Sequence, residues 1–393
     1  MNAEDYFLEI PNIILLLFYT ICILSYTKQK KIVFFIFLGH ILLIFLTNGL
    51  LFDPGYMSDQ GEYLRSVQSL RDNFEFNYEG TPMDMPSEAI VTPLSALKTQ
   101  LAAMIYYLVP LMCNSVFSVA GMNYVFYMMI FFFMYKKNLI NQQGMYFFLF
   151  YPSLALYSAV GLRDTLILFF MFTSVYYLIN NRYVPAMVLS SALFVLKVQN
   201  YLIFLISLLL WVVIDKGINP KKILLLILSV IFLVLLGDNI SVDKVNFYRM
   251  AFAAENGLDP LDIDLITGNG DLLLKGFQGI GKFLLMPLPW EVRNALQFIQ
   301  TLENIGILAL LFYGMRAYRK LNVKDRVIRF LFAHVAIAFA VYGLVISNYG
   351  TAARYRYTYV TVFFIFFYHR LHQIRKQQLS QKGYDPSSVG IVI

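Results

Sequence analysis

Three groups of residues carry the chemistry this chain could do. The segment LLFDPGYMSDQGEYLRSV contains Asp53 and then Asp59 and Glu62 three positions apart. A helix over 57–70 sets Asp59 and Glu62 on one face with Tyr63 beside them. Such a pair can act as a general base toward a hydroxyl, bind a divalent cation through its oxygens, or simply be solvated loop acids. The second group is basic: Arg163, next to Asp164 in SAVGLRDTLILFF, and Lys197 in the short Lys197-Val198-Gln199 link. The third is NYGTAARYRYTYV, where Arg354 and Arg356 stand among tyrosines. Guanidinium forks match phosphate oxygens, so these cations suit a phosphate or pyrophosphate group, or else an interfacial belt of snorkelling arginines and aromatic rings.

The elements that position these residues are apolar. Of 393 residues 59% are hydrophobic and only 14% charged, against about 25% charged in a soluble protein. A soluble enzyme is excluded, and the reading is an all-α polytopic membrane protein, one integral unit over 1–393. Eleven apolar spans are expected, near 12–27, 33–52, 117–135, 145–160, 163–179, 184–196, 200–214, 222–237, 301–316, 328–347 and 357–369. The net charge of +7 is then a question of sidedness and not a sign of nucleic acid. With the N-terminus outside, 19 of the basic and three of the acidic residues fall inside, giving +16 there and −9 outside. An odd number of spans also ends the chain inside, where the basic tail 370–393 begins.

The first apolar run ends in TKQKK and not in a small-residue cleavage site, so the first span is expected to be retained. Two outward segments, about 53–116 and 238–300, hold most of the extramembrane mass. Within the first, 93–113 reads as an interfacial or re-entrant helix pair. In the second, Pro287 and Pro289 exclude regular helix up to Trp290, after which apolar residues recur at helical spacing through Arg293 and beyond. Spans of 13 to 17 residues reach only about 20 to 25 Å, short of a roughly 30 Å hydrocarbon core. Their connecting tips therefore lie below the outer surface, and charges there mark a polar cavity open to the outside or a locally paired hairpin.

Other matches are weaker. GFQGIGKF fits the start of a phosphate loop but carries Phe283 where Ser or Thr is needed. His40, His334, His369 and His372 are scattered, which makes a histidine metal site unexpected, and Cys22 and Cys113 supply no disulfide scaffold.

The acidic first loop, the many spans and the basic outward ends resemble the GT-C type of membrane glycosyltransferase. GLRDTLILFF, PLPWEVRNALQ and NYGTAARYRY are also similar to segments of bacterial membrane proteins allied to it. The resemblance implies an undecaprenyl-phosphate or pyrophosphate-linked sugar donor, a glycan or lipid-linked acceptor, and catalysis on the outer face of a bacterial inner membrane. It puts the base role on Asp59 with Glu62 as partner and Asp53 as rival. Arg163, Lys197, Arg354 and Arg356 would hold the phosphate, with Tyr63, Asp164, Trp290 and Arg293 in support. No cofactor is required on this reading beyond an optional divalent cation at Asp59 and Glu62. The chain also resembles the Wzy type of O-antigen or capsule polymerase, which joins lipid-linked repeat units on the same face. A transporter or flippase of lipid-linked sugar is the alternative from another class; buried charges suit it, but no internal repeat is visible.

Overall fold

The computed structural model describes residues 7–48, 59–72, 93–214, 241–255, 263–346 and 348–381, with positions 227 and 229. Asp53 and most of the expected 222–237 span lie outside these residues. The described chain is all-helical, with fifteen α-helices and no strand among the described residues. The first five are α1 (Ile10–Tyr26), α2 (Lys31–Thr47), α3 (Asp59–Asp72), α4 (Pro93–Tyr107) and α5 (Val116–Lys136). They are followed by α6 (Gln142–Phe150), α7 (Pro152–Ser158), α8 (Asp164–Ile179), α9 (Tyr183–Leu196) and α10 (Val198–Ile214). The last five are α11 (Val242–Glu255), α12 (Asn269–Leu285), α13 (Ala295–Leu321), α14 (Arg326–Val345) and α15 (Tyr349–Gln381). Three of these, α5, α13 and α14, are long and apolar enough to cross a membrane, and α1, α2, α8, α9 and α10 are apolar but shorter.

Four expectations change. The span at 145–160 is two short helices, because Pro152 has no N–H to continue the ladder and holds Tyr151 extended (φ −72°, ψ 110°). The 93–113 stretch is one helix followed by irregular backbone and not a helix pair; Pro110 falls where a second helix would have to run. The last span is part of a 33-residue helix, so YGTAARYRY and the start of the basic tail are helical, and no proline interrupts them. Tyr63 is turned away from Glu62 and buried, since adjacent helical positions are about 100° apart.

The chain packs as two compact units, one of residues 1–138 and 152–201 and the other of 139–151 and 202–393. In the first unit, α5 is the central post. Its first turn is capped by Ser115, whose hydroxyl accepts from the Phe117 N–H (3.2 Å), and Tyr124, Tyr127 and Phe131 are buried along its length. One end of this unit is purely basic: Lys28, Lys30 and Lys31 at the α1–α2 turn, Lys136 and Lys137 ending α5, and Arg182 between α8 and α9. The described carboxylates of the unit all belong to the opposite end. There Glu9 is fully buried and accepts from Asn12 Nδ2 (2.6 Å), Ser115 Oγ (2.6 Å) and Ser118 Oγ (2.8 Å).

In the second unit, α12 crosses α14 at a glycine contact so close that a side chain on Gly343 would overlap the Gly279 carbonyl. Asp325 caps α14 by accepting from the Val327 and Ile328 N–H groups (2.9 and 3.1 Å). Its second oxygen receives Arg370 Nε and Nη2 from α15 (3.0 and 2.8 Å).

Candidate functional site

The site in the first unit is built on a buried stretch of backbone, residues 159–162, between α7 and α8. Backbone amides away from water need partners, and five side chains supply them. Asn48 Nδ2 and Thr47 Oγ1 donate to the Ala159 carbonyl (2.8 and 3.2 Å). Asn123 Nδ2, midway along apolar α5, donates to the carbonyls of Val160 (2.6 Å) and Leu162 (2.5 Å). The Tyr106 hydroxyl donates to Asn123 Oδ1 (2.7 Å) and also lies 3.1 Å from the Leu162 carbonyl. Gln60 Oε1 accepts from the Gly161 N–H (2.5 Å). A Cβ at position 161 would press on Gln60 and Val119 at 3.1 Å, so glycine lets α3 approach the turn.

The same contact sets α3 in place. Gln60, Tyr63, Val67 and Leu70 form its buried face at helical spacing. Farther along, Gln68 Nε2 donates to the Cys113 carbonyl (2.9 Å), and Arg71 donates to the carbonyls of Leu111 and Val109. With that face committed, Glu62 is left exposed in the first turn, with Asp59 half-buried beside it. Arg163, half-buried, leaves the braced turn as the residue before α8, close enough for its charge to act on Glu62. Partial withdrawal from water, and then the Asp59 carboxylate, raise the Glu62 carboxyl above its ordinary pKa, while Arg65 and Arg163 pull it back. Asp164 is buried in the first turn of α8, where a carboxylate suits the helix dipole. Lys197 is buried at the C-terminal cap of α9, the end that favours a cation. Because α8 and α9 form a hairpin, Arg163 and Lys197 lie at the same end of it.

A divalent cation takes six or more oxygens, whereas beside Asp59 the charges acting on Glu62 are guanidinium groups. Two carboxylates supply only part of such a shell, the remainder of which would come from water or substrate phosphate. Among the described residues no three His, Cys, Asp or Glu side chains gather as a metal set. His40 stacks on Tyr127 at 4.6 Å and meets Ser158 Oγ at 3.2 Å, and His334 meets Ser207 Oγ at 2.7 Å, so both are packed within helices.

The remaining candidates belong to the second unit. Arg354 and Arg356 are two apart on α15, hence on nearly opposite sides of the helix, and do not form one fork. Arg354 is half-buried, its guanidinium 5.8 Å from the Tyr355 ring. Arg356 is fully buried about 10 Å along α15 from its first residue. Its Nη1 donates to the carbonyls of Phe283 (2.9 Å), Leu284 (3.1 Å) and Met286 (3.0 Å) at the C-terminal end of α12. Asn304 Nδ2 reaches the Leu285 and Met286 carbonyls (2.9 and 3.1 Å), and Thr301 Oγ1 reaches that of Pro287 (3.1 Å). Arg356 therefore closes a helix end, the role a cation fills well there, and its Nε and Nη2 make no hydrogen bond. Trp290 is 79% exposed in a short 3-10 turn, and Arg293 is exposed, its backbone N–H donating to Gln297 Oε1 (2.7 Å).

The residues missed by sequence reasoning are the bracing ones: Gln60, Tyr106, Asn123, Thr47 and Asn48. Asn123 carried a usable signal, an amide in the middle of a span, where polar groups are expensive. No protein-family model, curated protein or solved structure matches the chain.

Proposed function

We propose that the protein is an integral-membrane glycosyltransferase that moves a sugar or oligosaccharide from a polyprenyl-phosphate or pyrophosphate donor to a hydroxyl acceptor in cell-surface polysaccharide assembly. The observation that carries this reading is the pairing of a carboxylate of raised proton affinity, Glu62, with Arg163 on a rigid, buried turn. Glu62 takes the proton of the acceptor hydroxyl, and Asp59 keeps Glu62 basic enough to do so. The acceptor oxygen bonds to the anomeric carbon as the bond from that carbon to the phosphate oxygen breaks. Arg163 and Lys197 receive the charge that develops on the departing phosphate. The donor carries its own activation, so no nucleotide enters the step. Base and partner are exchanged relative to the family resemblance, since the exposed, raised carboxyl is that of Glu62.

The wholly basic end of the first unit supports an orientation with that end cytoplasmic and Glu62 facing outward, in a multi-pass inner-membrane protein of about eleven spans. The test is transfer from a polyprenyl-pyrophosphate sugar by purified protein. Glu62→Gln is expected to abolish turnover and Arg163→Ala to lower it by about 10²- to 10³-fold, neither lowering expression; retention of full turnover by both would refute the assignment. The surface glycan of a deletion strain then separates two forms of the reaction: chains stopped at one repeat unit indicate repeat-unit polymerisation, and loss of a single sugar indicates monosaccharide transfer.

A further inference from the structure

At the basic end of the first unit, a cavity of about 450 Å³ opens at the tip of the α1–α2 hairpin. Its walls are apolar, formed by Ile21 and Leu24 of α1 and Phe34 and Phe35 of α2. Its rim is cationic, with Lys28, Lys30 and Lys31 exposed around it. None of the three makes an ion pair among the described residues, and no described carboxylate of the unit stands at this end. The neighbouring Lys136 differs: its ammonium donates to the Tyr26 hydroxyl and lies 4.6 Å from that ring's centre. Lys30 and Lys31 also open α2, the end at which the helix dipole disfavours cations, so helix stability does not account for them.

An oily wall beneath three free ammonium groups complements an amphipathic anion. We infer that this cavity binds one anionic phospholipid, the acyl chain along Ile21, Leu24, Phe34 and Phe35 and the phosphate among Lys28, Lys30 and Lys31. Both parts of the lining are needed, because a free phosphate makes no contact with the apolar wall and a zwitterionic lipid brings no net charge to the lysines. The site is independent of the glycosyltransferase reading and survives if that reading fails.

The experiment is native mass spectrometry of the full chain in neutral detergent, titrated with dioleoyl phosphatidylglycerol or dioleoyl phosphatidylcholine. One phosphatidylglycerol is expected to be retained at concentrations where phosphatidylcholine is not. At about fivefold per lysine, K28Q/K30Q/K31Q should weaken retention by at least about tenfold, while K136Q/K137Q, with two charges removed outside the cavity, leaves it within about twofold. Phe35→Ser, at a side chain already 63% exposed, should weaken phosphatidylglycerol binding and keeps the test alive if the triple variant does not fold. Equal retention of both lipids, unchanged binding in the triple variant and in Phe35→Ser, or full displacement by millimolar inorganic phosphate would each overturn the inference.

Discussion

The turn that presents Arg163 and the helix end that holds Arg356 solve the same problem in opposite ways. Each is backbone buried among helices whose carbonyls need donors. At 159–162 the donors are neutral side chains, Asn48, Thr47 and Asn123, so these carbonyls do not depend on the arginine that follows. At 283–287 the principal donor is Arg356 itself, which places one nitrogen on three carbonyls. An arginine next to buried backbone is available for a ligand only where something else satisfies the backbone. By that criterion Arg356 is the structural residue and Arg163 the one the proposed chemistry can use, although the sequence offers both as cations near a span end.

The largest expected effect is therefore on folding and falls at Arg356. Arg356→Ala takes the side-chain donor from the Phe283 and Leu284 carbonyls and leaves that of Met286 to Asn304 alone; a backbone group without a partner is worth several kcal/mol in a water-free interior, so the change should abolish recovery of folded protein from membranes. Recovery of Arg356→Ala with an unchanged melting temperature would erase the contrast. Arg163→Ala should do the reverse, lowering turnover by about 10²- to 10³-fold, or about 3–4 kcal/mol in the barrier, while folded protein is still recovered. If Arg163→Ala melts early and turns over normally, the roles of the two arginines are exchanged. Asn123→Ala falls between them in kind and below them in size. It removes the Val160 donor and the acceptor of Tyr106, which for hydrogen bonds between membrane helices costs about 1–2 kcal/mol. The turn then loosens, so thermal stability and turnover should decline together.

How much of this could be read beforehand follows from the same contrast. The all-helical class and the apolar helices were legible because long apolar runs mark them, whereas polar helices such as α3 and α11 carry no such mark; the charged tips Arg163 and Lys197 stood out against apolar runs. The breaks were less so: Pro152 was visible, but the run on either side of it was uniformly apolar and read as one span. Arg354 and Arg356 looked like a pair because the segment read as a loop; once it is helix, their spacing sends them to opposite sides. Nothing local to Glu9 marks it as buried, and only the folded chain brings Ser115 and Ser118, more than a hundred residues away, onto its oxygens. Long-range satisfaction of buried polar groups is the part that periodicity does not encode.

The smallest effect is the most specific to the acidic pair. Glu62 has a raised pKa, and the proposed chemistry needs it ionised, so activity should be lost as pH falls through that value and be full above it. Asp59 raises the Glu62 pKa by like-charge repulsion; Asp59→Asn should therefore move the acid limb of the kcat/KM profile to lower pH. Arg65 favours the ionised form, and Arg65→Gln should move the same limb to higher pH. Arg65 is exposed on α3, opposite its buried face, so Arg65→Gln should leave melting constant, and the limb should move in opposite directions in the two variants. A limb that ignores both substitutions means that the titrating group is not Glu62, and the base must then be sought on another element.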